Sequence, residues 1–448
     1  MMCGGCLSLL YILFLLFNGE FAVCLPDSNP NQDASTPEQV SCLAGKPVRS
    51  IDSLYLGSED QQNSLRLEFQ LSEITSNLSS FELRTRDPEG VIFYGDIGED
   101  NWFVLGVRQK KLEVQMSNSN GQMVLSKWGP EISDGKWKKV AVDSSINTIE
   151  VRMDGELVVK LTHHVNAQLM PVTASKLVII LGDLPVGRNL QLIRPLKTAL
   201  DGCMRNWAWV KRHTEGLENA METDENRRCF EKEEPGSFFP SQSYAIMRPN
   251  LFQSQDQELC CRGLSLQWQK GSCFKVALLQ KRGIQVFQAP KDQSWKLSIR
   301  VDFRFPEDGV LLALRSEENV TLFLVRLDWQ KRVVSVTFFD KLTGSVMLPV
   351  DLCPSHWQFV DIQFSVNTLF IKTAETMSFW DIQPTDFQAL QDKWTDPTSE
   401  IYIGGVPGSE GPHFSGCLKI TLQAEAVDLD MAHYKHPYVR SHSCPVGI

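Results

Sequence analysis

Beyond its first 24 residues the sequence has no apolar run long enough to cross a bilayer, and the run at residues 7–17 is itself too short to span one. Basic charge is in deficit. The 44 Lys and Arg against 54 Asp and Glu leave a net charge of -10, which gives no electrostatic footprint for nucleic acid or an anionic membrane. Histidines at metal-ligand spacing are lacking too, since His163 and His164 are adjacent and neither has a partner at the separation zinc requires. Glu89 and Asp96 lie near one another, but no nucleophile with its base and no repeated acidic motif accompanies them, so an enzyme is not expected. Helical periods are few.

What the sequence does have begins with a segment typical of export. Its apolar run is followed by Asn18, Gly19 and Glu20, and cleavage after Cys24 would put the small residues Ala22 and Cys24 where a signal peptidase inspects them. Residues 1–24 are therefore read as a signal peptide and the mature chain as secreted, without membrane insertion. The 12 cysteines suit an oxidising compartment, as do the glycosylation triplets Asn77-Leu78-Ser79 and Asn319-Val320-Thr321.

The 448 residues contain one order of landmarks twice. Pro88-Glu89-Gly90-Val91, Trp137, Asn147-Thr148, Leu181-Gly182, Gly202-Cys203 and Cys229 are followed by Pro306-Glu307-Asp308-Gly309-Val310, Trp357, Asn367-Thr368, Ile403-Gly404, Gly416-Cys417 and Cys444. Each Trp precedes its Asn-Thr pair by the same distance, and the separations of the two closing cysteine pairs agree to within one residue. Between the landmarks, short runs alternate apolar and polar residues, as in Leu65, Leu67, Phe69 and Leu71 or in Leu297, Ile299, Val301 and Phe303, with Asp-Gly turns between them. This periodicity predicts an all-β chain of two antiparallel β-sandwiches in tandem. The expected divisions are a loosely ordered lead-in at 25–45, a first domain at 46–230, a charged linker at 231–250 and a second domain at 251–446.

These landmarks resemble the laminin G-like domain, a concanavalin-like jelly roll. The run from Ser79 through Phe81, Asp87-Pro88-Glu89-Gly90 and Tyr94 to Asp96, with Asn101-Trp102-Phe103, Asp134-Gly135-Lys136-Trp137 and Asp201-Gly202-Cys203, is similar to the steroid-carrying members of that family. The resemblance implies a homodimeric extracellular carrier that binds androgens or oestrogens in its first domain. Ser79 would meet the A-ring oxygen of a steroid, Phe103 would lie against its flat face, and Asn101 with Asn118 would hold the D-ring oxygen. Well-known members have Asp at the position of Asn101, and Met at two wall positions that are Ser144 and Leu177 here, so a shifted steroid preference is expected.

The resemblance also implies a calcium ion bound by Asp87, Glu89 and the backbone carbonyl of Ala199, hard oxygen ligands of the kind this ion prefers. The same Asp-Pro-Glu-Gly run is equally suited to a plain turn. Disulfides Cys203–Cys229 and Cys417–Cys444 follow from the repeat, each worth about 3 kcal/mol by loop entropy. Cys42, Cys260, Cys261, Cys273 and Cys353 are left without assigned partners. The competing functional reading is a calcium-dependent adhesion module that recognises glycans or receptors. An apolar pocket inside the first sandwich, as opposed to an exposed basic rim around the calcium, separates the two.

Overall fold

The computed structural model describes residues 47–57, 65–97, 101–117, 123–145, 148–162, 176–185, 193–210, 216–248, 295–304, 306–318, 320–339, 341–349, 353–408 and 411–446. The expected signal peptide and lead-in, Asn118, Asn319 and four of the five unassigned cysteines lie outside these residues. Cys353 is described, and it is disulfide-bonded.

Two β-sandwiches follow one another within a single unit spanning residues 42–448. In the first, a seven-stranded sheet runs in the order Glu156–Thr162, Thr148–Met153, Lys138–Ser145, Leu78–Thr85, Gly202–Ala208, Arg49–Tyr55, Arg228–Phe230. It faces a six-stranded sheet ordered Leu65–Gln70, Lys176–Leu181, Glu89–Asp96, Trp102–Arg108, Lys111–Ser117, Met123–Glu131. The second sandwich repeats this plan around Leu297–Arg304 and Gly309–Arg315. Alternation decides which side chains enter each core: Leu65, Leu67 and Phe69 are buried between exposed Arg66, Glu68 and Gln70, and Leu297, Ile299, Val301 and Phe303 are all fully buried.

The repeated landmarks turn out to be repeated contacts. Trp137 lies under the guanidinium groups of Arg84 and Arg205, at 4.8 and 4.2 Å from the ring centre, while Trp357 lies under Arg304 and Lys419 at 5.2 and 3.9 Å. Gly182 and Gly404 both have left-handed backbones, φ 69° and 81°. Each donates its N–H to the strand beside it (Ile92 and Leu311) and accepts one from the segment leading to the closing strand (Ala199 and Phe414). A Cβ at Gly182 would come within 2.4 Å of the Leu56 carbonyl, which fixes glycine there on two grounds. Both expected disulfides are present, Cys203–Cys229 and Cys417–Cys444.

The segment expected as a linker is structured through its described residues, 231–248. Within 231–250 the runs Glu233–Pro235, Ser237–Phe239 and Ala245–Met247 are strands, pairing respectively with Ser443–Pro445, Gly416–Leu422 and Glu400–Ile403. Its charge run served as the signal for a solvated connector, but two of those charges are counter-ions. Glu233 pairs with Arg84 of the first sandwich (3.1 Å) and with Arg440 (3.4 Å), and its neighbour Glu234 pairs with Arg304 of the second (2.8 Å). Arg84 and Arg304 occupy equivalent places, each against its domain's disulfide sulfur. Arg440, itself only 2% exposed, stacks on Tyr55 and Phe230 and donates to the Arg228 carbonyl, so the end of the second sandwich is embedded in the first.

Because Glu233 is enclosed, Glu233→Gln should leave Arg84 and Arg440 buried without their countercharge, at a cost of about 3 kcal/mol or more in urea unfolding. Glu234→Gln also strips a buried arginine, Arg304, of its carboxylate, but from a pair open to water on the Glu234 side, and should cost less, about 2 kcal/mol. Equal losses would show that the two carboxylates are not distinguished by burial.

Candidate functional site

Strand Leu78–Thr85 positions both groups of residues singled out by the sequence, one near its start and one just past its end. Ser79 is buried, at 8% exposure, and its hydroxyl oxygen accepts the Val210 N–H at 3.0 Å. That bond occupies one lone pair and leaves the hydroxyl proton free to donate. Two residues along on the same face, Phe81 stacks on Trp209 with ring centres 5.6 Å apart. Trp209 meets Phe93 edge-on at 5.1 Å, and Phe93 packs against Phe103 at 5.5 Å on the opposite sheet.

Phe103 and Leu177 are half-buried and pack against this same core. Asn101 is half-buried immediately before the strand that carries Phe103, its carbonyl accepting from Ile97 N–H at 3.2 Å. The structure thus gathers Ser79, Phe103 and Leu177 around one aromatic interior, with Asn101 at its margin. Ser144 is different. Although alternation puts it on the side of Val140 and Val142, it is exposed near the end of its strand, where its N–H donates to the Asn77 carbonyl. Asn77 is exposed just before the strand begins, while Ser79, the third residue of its triplet, is buried within it.

At the other end of the strand, Asp87 is 1% exposed. One carboxylate oxygen accepts Glu89 N–H and the other Asp201 N–H, each at 3.0 Å. Ala199 has a left-handed backbone, φ 58°, that turns the chain toward Asp201. Glu89 is held away from Asp87 by an ion pair with Arg108 at 3.0 Å. What approaches Asp87 comes from the second sandwich: His442 Nε2 lies 3.8 Å from Asp87, 3.7 Å from Asp428 and 2.8 Å from Asp430. Asp430 is further bound by Lys435 Nζ at 2.9 Å and by the Ser441 hydroxyl. Asp201 ties down the same segment, accepting His442 N–H, Ser443 N–H and the Ser443 hydroxyl at 2.7 to 2.9 Å.

Asp87, Asp430 and His442 bring one ligand atom each to within 4.8 Å of one another, a grouping able to hold a metal ion. The carboxylate oxygens suit calcium, whereas the imidazole nitrogen does not, and in its charged form it competes for the same carboxylates. Burial, reinforced by the Asp430 charge, raises the Asp87 carboxyl to about 7. Burial alone would disfavour the imidazolium, but its hydrogen bond to Asp430 and the charges of Asp430, Asp87 and Asp201 lift His442 to about 9. Asp430 stays well below the usual carboxylate range because Lys435 and His442 outweigh its burial. Sequence reasoning singled out Asp87 but not its neighbours in this grouping, Asp430 and His442. The latter two come from Asp428-Leu429-Asp430 and Ser441-His442-Ser443, close to the last cysteine and far along the chain from Asp87.

The profile of the Laminin G domain matches residues 83–215. Over 383 residues the chain is 28% identical to sex hormone-binding globulin of Homo sapiens, covering 85% of this chain and 83% of that one. Sex hormone-binding globulin of Oryctolagus cuniculus is 27% identical over 410 residues, with 90% of each chain covered. Growth arrest-specific protein 6 of Mus musculus is 26% identical over 426 residues, and the chain spans 59% of its length. Among solved structures, domains LG4-5 of the mouse laminin alpha1 chain superpose with a TM-score of 0.58 at 19% identity, over 89% of this chain and 96% of that one, a likeness of fold. The chain therefore carries tandem laminin G-like sandwiches and resembles sex hormone-binding globulin. No helix among the described residues is long and apolar enough to cross a membrane.

Asp87 and His442 both bind protons more tightly folded than unfolded, so each contributes stability at low pH that is lost as pH rises. For Asp87 the window runs from 3.8 to about 7, and for His442 from 6.5 to about 9. With calcium chelated, thermal unfolding should show the wild type losing up to about 3 kcal/mol between pH 6.5 and 9, and His442→Gln losing far less. Parallel declines in the two proteins would place the dependence elsewhere.

Proposed function

We propose that this chain is a secreted, non-enzymatic carrier of sex steroids, with the ligand held between the sheets of the first sandwich. The observation that carries the reading is the Ser79 hydroxyl, buried at an aromatic interior and without an acceptor for its proton among the described residues. A steroid is a flat apolar plate with an oxygen at each end, and a site for it needs apolar walls and a few fixed polar groups. Ser79 supplies the donor for the A-ring oxygen, Phe103 and Leu177 supply wall, and Asn101 with Asn118 receives the D-ring oxygen. The similarity to sex hormone-binding globulins over most of the chain supports the same reading, and the homodimer expected from that resemblance belongs with it.

Calcium is the second part of the proposal. Asp87, Asp430 and the Ala199 carbonyl are the residues we assign to it, with Glu89 joining if it leaves Arg108. A bound divalent ion would neutralise carboxylates shared by the two sandwiches and fasten their junction. This placement supports a structural ion more than an adhesion surface, because Asp87 and the Asp430 side chain are no more than 5% exposed. Calorimetric titration should show calcium uptake by the wild type and its loss in Asp87→Ala; uptake unchanged by the substitution would remove Asp87 from the site.

Equilibrium binding of tritiated testosterone to the secreted protein tests the carrier reading, and no saturable binding would end it. Ser79→Ala should weaken binding by about 1 to 3 kcal/mol, the cost of an unpaired buried oxygen. An amide at Asn101 can accept from a 17-hydroxyl or donate to a 17-ketone, whereas a carboxylate can only accept. Androstenedione should therefore compete within about 1.4 kcal/mol of testosterone, and Asn101→Asp should widen that gap. A ratio untouched by the substitution would show that Asn101 does not meet that end of the steroid.

A further inference from the structure

Ser79 does not face the interior of the first sandwich as its only polar group. Trp209 is fully buried, at 0% exposure, and its indole N–H has no hydrogen-bond partner among the described residues. A buried donor left unpaired costs free energy and calls for an explanation. Trp207 and, in the second sandwich, Trp295 also carry buried indole N–H groups with no partner among the described residues. Of these, only Trp209 belongs to the ring cluster that leads from Phe81 through Phe93 to Phe103. Its backbone neighbours place it beside Ser79: Val210 N–H donates to the Ser79 hydroxyl, and Ala208 pairs with Ser80 across the ladder. An indole N–H thus lies within the same interior, one residue past the end of the strand Gly202–Ala208 that pairs beside the hydroxyl assigned to the A-ring oxygen.

We propose that the Trp209 indole N–H is a second donor to the steroid's A-ring oxygen, acting with Ser79 as a specificity determinant for a 3-ketone. The inference rests on the steroid-carrier reading. A carbonyl oxygen has two lone pairs and can accept from both donors at once. A 3-hydroxyl placed there brings a third proton to the group: if Ser79 accepts it on its remaining lone pair, Ser79 can no longer donate to the same oxygen, and one donor is left unpaired. Binding should accordingly favour 3-oxo over 3-hydroxy steroids of the same skeleton, by about 5- to 100-fold.

The test compares testosterone with its analogue lacking the 3-oxygen, on the full-length wild type and on Trp209→Phe. Replacing indole by phenyl removes packing for both ligands and a hydrogen bond for testosterone alone. The dissociation constant for testosterone should therefore rise about tenfold more than that for the 3-deoxy analogue. In the wild type, the Trp209 indole proton, assigned through its NOEs to Phe81 and Phe93, should move downfield with testosterone and stay in place with the analogue. That second reading holds even if Trp209→Phe does not fold. Equal losses for the two ligands, or an indole proton indifferent to the 3-oxygen, would overturn the inference while leaving the carrier reading intact. A wild type that binds neither ligand would overturn both.

Discussion

Two adjacent carboxylates, Glu233 and Glu234, decide how the two sandwiches are joined. Each sandwich places an arginine, Arg84 or Arg304, between its central tryptophan and its closing disulfide, where no aqueous solvation is available to it. A buried guanidinium without a countercharge is severely destabilising, so each domain needs an anion at that point. Consecutive residues of a strand project to opposite faces, and Glu233 and Glu234 use this to serve one arginine in each domain from a single short strand. The same strand is paired with Ser443–Pro445, which carries the last cysteine, and this pairing brings Arg440, His442 and Ser443 against the first domain. The junction is therefore as much a product of charge compensation as of apolar burial.

Much of this was legible in the sequence. Alternation and the duplicated landmarks gave the all-β tandem, because strand period and turn chemistry are local properties written in consecutive residues. The reason each landmark exists was not legible: Trp137 is needed under Arg84 and Arg205, and Gly182 is needed because Leu56 O approaches it, contacts between residues far apart in the chain. The strands between Glu233 and Met247 were not legible for the same reason. A charged run reads as solvated unless its counter-ions are known, and Arg84 and Arg440 lie roughly 150 and 200 residues away.

For the candidate sites the division is similar. Asp87 was singled out because a resemblance in a contiguous run pointed to it. Glu89 was grouped with it on the same basis, but Arg108, on the neighbouring strand, takes its carboxylate. Asp430 and His442 had a faint local signal, a pair of aspartates followed by a histidine beside the final cysteine, and nothing local to say that they meet Asp87. Ser144 shows the limit of alternation, which gives the side of a sheet and not whether the facing sheet reaches that far.

The strand Leu78–Thr85 links the two regions mechanically. Ser79 and Asp87 are separated by about 26 Å of extended chain, and between them Phe81 and Leu83 are locked into the core at 1% and 0% exposure. Such a strand, hydrogen-bonded on both sides to Lys138–Ser145 and Gly202–Ala208, has no second arrangement to adopt. Coupling between sites requires an element with two states whose balance both sites bias. The cluster of Asp87, Asp430 and His442 is therefore placed to hold the register of the strand that presents Ser79. Its effect on a ligand should act through the stability of the first sandwich, and not through a movement transmitted along it.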